Sequence, residues 1–193
     1  MLSKNIWNNE KLLEILKRGG IAVMPTDTIY GIVGQAQNEA TVGRIYATRR
    51  RNPQKPGIIL IGDTGELAKF SIILSEKQKN KLNEFWPPAS VQGPTSIVLD
   101  CPDDSPLYLH RGTKTLAFRL PYLEPLRNLL LLTGPLIAPS ANPEGLPPAQ
   151  NIAEARGYFG DSVDFYVDGG EISGQPSKVI KLRKDGSVSI LRE

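Results

Sequence analysis

Breakers, rather than long apolar runs, set what this chain can fold into. Its 18 glycines and 16 prolines are spread along all 193 residues, so they punctuate many short elements and mark no single flexible tract. The apolar runs between them have strand length. Residues 21–24 read as a buried strand ended by Pro25, and residues 58–61 and 136–138 as two more. Residues 96–99 and 115–120 read likewise. Near the end, residues 178–183 and 187–192 flank Asp185-Gly186, a pair suited to the tight turn of a hairpin.

Helices carry their own start and stop signals. Residues 9–18 place Leu12, Leu13 and Leu16 on one face, and Gly19 supplies the stop. Asn38 can cap a helix with Val42, Ile45 and Tyr46 on one face, ending near Arg49. Ser75 with Gln78 three residues on is a capping-box pattern, and Leu82, Phe85 and Trp86 follow on the inner side. Residues 123–132 form a helix stopped by Gly134, and Asn151 can cap another that reaches about Tyr158. Strands and helices mix without strict alternation. The expected fold is therefore α/β (α+β): one domain over residues 1–193, built on a twisted mixed β-sheet flanked by helices.

Several function classes fall away on composition. One cysteine (Cys101) and one histidine (His110) exclude a disulfide framework, a cysteine-based metal site and a His–His proton relay. Residues 1–10 are polar, and no run approaches the roughly 18 apolar residues of a membrane span, so no membrane association and a cytoplasmic location are expected. Net charge is only +3, but residues 40–62 contain no acid while holding Arg44, Arg49, Arg50, Arg51 and Lys55. Such a cluster attracts phosphate, from a nucleotide or a nucleic acid.

Five segments can carry chemistry. Pro25-Thr26-Asp27-Thr28-Ile29-Tyr30-Gly31 follows a buried strand and offers two threonine hydroxyls; it reads equally as a plain turn. Arg49-Arg50-Arg51-Asn52-Pro53-Gln54-Lys55-Pro56 can hold several phosphate oxygens, or can be a solvated basic loop or a nucleic-acid patch. It is not a glycine-rich P-loop. In residues 115–121, strand alternation puts Thr115, Ala117 and Arg119 on one face, where the arginine must meet an acid or face a cleft. Ala138-Pro139-Ser140-Ala141-Asn142 places small polar groups just past a buried strand. Gly174-Gln175-Pro176-Ser177 precedes the hairpin that ends in Arg192. No G-x-S-x-G elbow occurs, which makes a serine hydrolase a poor reading.

In this order and at these spacings, the five segments resemble the YrdC/Sua5/TsaC family of L-threonylcarbamoyladenylate synthases, from about Gly19 to Arg192. The resemblance implies a YrdC-like fold of the short, single-domain type. It also implies a nucleotidyltransferase reaction: threonine and bicarbonate form a carbamate, which attacks the α-phosphate of ATP, usually with Mg2+. The product would go to a tRNA threonylcarbamoyl transferase complex for the t6A modification at tRNA position 37. By the same resemblance Thr28, Arg119, Ala138 and Ser177 are threonine-binding. Arg49, Arg51, Lys55, Thr115, Ser140, Asn142 and Arg192 are ATP-binding, with Arg51 and Lys55 stabilising charge and no side chain acting as nucleophile.

The chain departs from the family pattern in four places. Arg49-Arg50-Arg51 stands where K-x-R is usual, Leu60 where many members have histidine, and Ser177-Lys178 where the pair is usually S-T. Residues 88–92 interrupt a W-P-G-P-x-T run. Two readings compete with the synthase. One is a module that binds tRNA or double-stranded RNA without making an adenylate. The other is a carbamoyl-adenylate step like that of hydrogenase-maturation proteins, whose zinc-finger and acylphosphatase modules this sequence does not contain.

Overall fold

The computed structural model describes residues 6–86 and 93–193. Helix α1 (Glu10–Lys17) opens on Asn9, whose side chain accepts the Leu12 N–H, and the chain leaves it through Gly19 at φ +80°. α2 (Glu39–Thr48) is capped by Asn38, and α3 (Glu76–Phe85) carries the complete Ser75–Gln78 capping box. A four-residue helix, α4 (Leu107–His110), and the 3-10 helix Thr64–Phe70 are additions that the sequence reading does not contain. α5 (Glu124–Thr133) stops at Gly134, and α6 (Ile152–Phe159) is capped by Asn151.

Among the described residues, nine strands form one sheet: β1 (Ala22–Pro25), β2 (Tyr30–Gln35), β3 (Ile58–Leu60), β4 (Thr95–Asp100), β5 (Thr115–Arg119), β6 (Leu136–Ile137), β7 (Phe165–Tyr166), β8 (Lys178–Leu182) and β9 (Val188–Arg192). Their order is β7-β1-β2-β6-β3-β5-β4-β8-β9. The pairs β1/β7, β3/β5 and β4/β8 are parallel and the others antiparallel, so the sheet is mixed, as expected. The apparent insertion at residues 88–92 lies outside the described residues.

Helices cover both faces of this sheet. Ile21 and Val23 pack with Val42 and Ile45 of α2 and with Phe159 of α6. Ala22 and Met24, one residue out of phase, pack on Leu12 and Leu16 of α1 and on Leu126 and Leu130 of α5. β2 is a correction to the sequence reading, which ran a loop through residue 31. Its residues are buried on both faces, so no alternation marks it, and its two glycines lower its strand signal.

Register then positions the site. On the face that carries α1 and α5, Leu60, Arg119, Ser96, Val179 and Arg192 form one cross-strand row from β3 to β9. Ile58, Ala117 and Val98 form the row beside it. Leu60 is fully buried beneath the helices. Farther along the row the face opens into a cavity.

Candidate active site

The cavity encloses about 410 Å³, a size suited to a small-molecule ligand. Its floor is the two rows, through Ile58, Val98, Ala117, Arg119, Val179 and Arg192. Thr28, Arg51, Thr115, Ala138, Ser140 and Ser177 also line it. Eight of the eleven expected ligand contacts therefore meet at one place, although Thr28 and Arg192 are far apart in sequence.

Arg119 is the most constrained of these groups. It is 4% exposed, and its Nη2 lies 2.9 Å from Oδ1 of Asp27, whose side chain is wholly enclosed. The arginine thus does both things the sequence allowed: it meets an acid and it faces a cleft. The same Nη2 reaches Thr26 Oγ1 at 3.4 Å. Thr26 in turn receives the Thr28 N–H at 3.2 Å and shares a 3.0 Å hydroxyl contact with Thr28 Oγ1. Segment 25–31 is therefore a turn and a cavity wall at once.

Segment 138–142 is held by β2 and β3. Ala138 N–H donates to Ile58 O, Ile32 N–H to Pro139 O, and Ala141 N–H to Tyr30 O. These bonds bracket Ser140 and aim it at the cavity. Tyr30 is buried, and its hydroxyl donates to Gly170 O at 2.8 Å while accepting the Gly169 N–H. Burial pushes that phenol above its ordinary pKa, so it stays a neutral strut. The chain that follows brings Gly174 so close to Thr28 that a Cβ would lie 2.0 Å from the Thr28 carbonyl oxygen. Ser177 is buried, with its hydroxyl 2.8 Å from Ser96 Oγ and its carbonyl accepting from Arg192 Nη2 at 2.7 Å. Burial, and then the Arg119 charge across the floor, lower the Arg192 pKa. Like charges that feel each other across the floor favour an anion there.

Three expected ATP contacts do not stand on the cavity wall. Arg49 is 2% exposed and turns inward, with Nε on Asn142 O at 2.9 Å and Nη2 at 3.2 Å from both Asn142 Oδ1 and Ser140 Oγ. Burial, then the Arg51 charge, lower its pKa to about 10, still protonated at neutral pH. Asn142 spends its amide on Pro143 O and Leu146 O. Both residues brace Ser140 from behind. Lys55 is not part of the lining, and its ammonium pairs with Glu144 at 2.6 Å. Arg51 remains on the wall, its Nη2 donating to Pro56 O at 2.9 Å and its guanidinium 5.7 Å from the Tyr46 ring.

Sequence reasoning missed Asp27 as the partner of Arg119, and missed Thr113, Pro148 and Leu191 as lining. A buried charge on an apolar strand announces that it needs an acid; which acid answers is a property of the fold. His110 and Cys101 are both buried away from the lining, and among the described residues no group of three His, Cys, Asp or Glu side chains could hold a metal. No helix among them is long and apolar enough to cross a membrane.

Comparison with known proteins follows the same outline. The family model described as telomere recombination (Sua5, YciO and YrdC) matches residues 14–193. A threonylcarbamoyl-AMP synthase of Hahella chejuensis is 31% identical over 194 residues, which cover 97% of this chain and 98% of the relative. One of Halorhodospira halophila is 32% identical over 157 residues, covering 80% and 78%. The structure of Pyrococcus abyssi Sua5 complexed with L-threonine superposes with a TM-score of 0.81 at 28% identity; the match covers 97% of this chain but only 54% of that longer one. Escherichia coli YciO, at 22% identity, shares the fold with a TM-score of 0.78 over 99% of this chain and 90% of its own. With the family model matched over residues 14–193 and a relative 31% identical over nearly the full length of both chains, the chain belongs to the Sua5/YciO/YrdC family.

Proposed function

We propose that this protein is an L-threonylcarbamoyladenylate synthase, a nucleotidyltransferase that converts L-threonine, bicarbonate and ATP into threonylcarbamoyl-AMP and pyrophosphate. The observation that carries the reading is the single cavity with a buried arginine on its floor and a basic loop on its rim. An RNA-binding module would use exposed cations and would not need the cavity that the buried Arg119 faces.

The nucleophile belongs to the substrate. The threonine nitrogen takes up the bicarbonate carbon with loss of water, giving a carbamate. A carbamate oxygen then attacks the α-phosphorus, and the bond to the pyrophosphate oxygen breaks. The protein's share is alignment and neutralisation of negative charge. Arg119 takes the threonine carboxylate, with its position fixed by Asp27. Thr28, Ser177 and the Ala138 backbone take the polar groups of the amino acid. Arg51, Thr115, Ser140 and Arg192 face the nucleotide, while Arg49 and Asn142 act through Ser140. Lys55 joins them when it leaves Glu144.

Magnesium is part of the proposal. The side-chain oxygens that line the cavity are all hydroxyls, among them those of Thr28, Thr113, Thr115 and Ser140. That set fits an ion carried in on phosphate oxygens and water better than one held by the protein. When bound, it would neutralise phosphate charge, with Ser140 and Thr115 placed to bond its waters. The product is a reactive mixed anhydride, so a tRNA threonylcarbamoyl transferase must consume it in the same compartment, the cytoplasm. Direct contact between this chain and tRNA is not required by the step.

The test is direct. The purified protein, given ATP, L-threonine, bicarbonate and Mg2+, is expected to form threonylcarbamoyl-AMP, detected by mass spectrometry, and to lose it when any one of the three substrates is left out. A folded protein that makes none with all components present would overturn the reading.

A further inference from the structure

The acid-free stretch around the basic loop finds its acids through space. Asp164 reaches Arg44, and Glu144 reaches the loop itself. Glu144 touches the loop at three points. Its backbone N–H donates to Arg49 O at 2.8 Å, its Oε2 accepts the Asn52 N–H, and its Oε1 takes the Lys55 ammonium at 2.6 Å. The Lys55 ammonium first, and then the Asn52 N–H, hold its carboxyl below the usual carboxylate range, so it is ionised at neutral pH.

Two loops are joined in this way. Arg51 and Pro56 of the basic loop line the cavity, and so do Ser140 and Pro148 on either side of Glu144 in sequence. The Lys55 backbone is gripped from below, since its carbonyl accepts from Tyr46 Oη at 2.7 Å and from Arg51 Nε at 3.2 Å. Only the side chain is left to swing, and 60% of it is exposed. A lysine is a point charge on a flexible stem, free to change partners. A carboxylate near the mouth of an anion site works against the anion twice, by repulsion and by occupying a cation.

We infer that Glu144 is a clasp at the cavity rim that holds Lys55 away from the nucleotide in the resting protein and thereby sets ATP affinity. The inference rests on the proposed nucleotide site. Phosphate oxygens compete with Glu144 for the ammonium, and the clasp opens as ATP binds. Because the pair is solvated, its strength is that of a surface ion pair, and its removal shifts affinity by about two- to fivefold.

The experiment is calorimetric titration of MgATP into the wild type, Glu144→Gln, Lys55→Ala and the double variant, at low and at high salt. Glutamine keeps an acceptor for the Asn52 N–H while removing the charge. Glu144→Gln is expected to tighten ATP by about two- to fivefold, with a gain that shrinks at high salt. Lys55→Ala is expected to weaken ATP, and most of the gain from Glu144→Gln disappears when Lys55 is absent. A purely structural role for Glu144 would instead weaken binding and leave the salt dependence unchanged. If ATP binds the wild type and Glu144→Gln binds it equally or more weakly, the clasp is wrong and the synthase reading stands. If the wild type binds no ATP, the nucleotide site is wrong and the clasp goes with it.

Discussion

The floor and the rim of the cavity hold their cations in opposite ways. On the floor, Arg119 is buried and paired with an enclosed Asp27, and its place is set by strand register. On the rim, Lys55 is mostly exposed and tied to a glutamate that is partly open to solvent. A buried pair is expensive to break and cannot relax, whereas a solvated pair exchanges partners for little. On the proposed reading, the floor is preorganised for one small carboxylate, and the rim can adapt to a nucleotide that enters as ATP and leaves as pyrophosphate and adenylate.

The sharpest way to break this contrast is at the floor. Arg119→Ala strips Asp27 of its partner, and the loss should be about 3–5 kcal/mol in stability with about a thousandfold or more in synthesis of the adenylate. Arg119→Lys, which keeps the charge without the fork, separates folding from binding. It should fold yet raise the KM for threonine by more than about tenfold. Next comes the wall behind Thr28. Gly174→Ala puts a methyl against the Thr28 carbonyl, where nothing flexible can give way. A shift of about 1 Å there should cost up to about 100-fold in kcat/KM for threonine and spare ATP binding.

The rim should respond less. Arg51→Ala removes one proposed charged contact to phosphate and should weaken ATP about tenfold, read by titration, with threonine affinity unchanged. The smallest effect is expected away from the cavity. Arg44 holds the Asp164 carboxyl below its ordinary pKa. That contribution is present above the unfolded carboxylate pKa of about 3.9 and is lost as the pH falls through the lower, folded value. Asp164→Asn should lower stability at pH 7 by less than about 1 kcal/mol, and the gap from wild type in Tm should close in acid.

Local signals were the legible part of this chain. Four asparagine and serine caps, the Gly19 and Gly134 stops and the Asp185-Gly186 turn all act within a few residues, and the structure has them where the residues announce them. β2 was illegible because burial on both faces erases alternation, and β7 and α4 because two or four residues carry no period. The site divides along the same line. Alternation in β5 fixed the face shared by Thr115 and Arg119. The directions of Arg49 and Lys55, both in or beside a loop, were decided by Asn142 and Glu144, some 90 residues away. No local pattern records such a choice.

The central claim is that threonine and ATP use different cations of one cavity. Calorimetric titration of Arg119→Lys with each ligand tests it most directly. The account predicts that L-threonine binding is lost or weakened more than about tenfold while MgATP binds within about twofold of wild type. Undiminished threonine binding, or loss of ATP in its place, would contradict it.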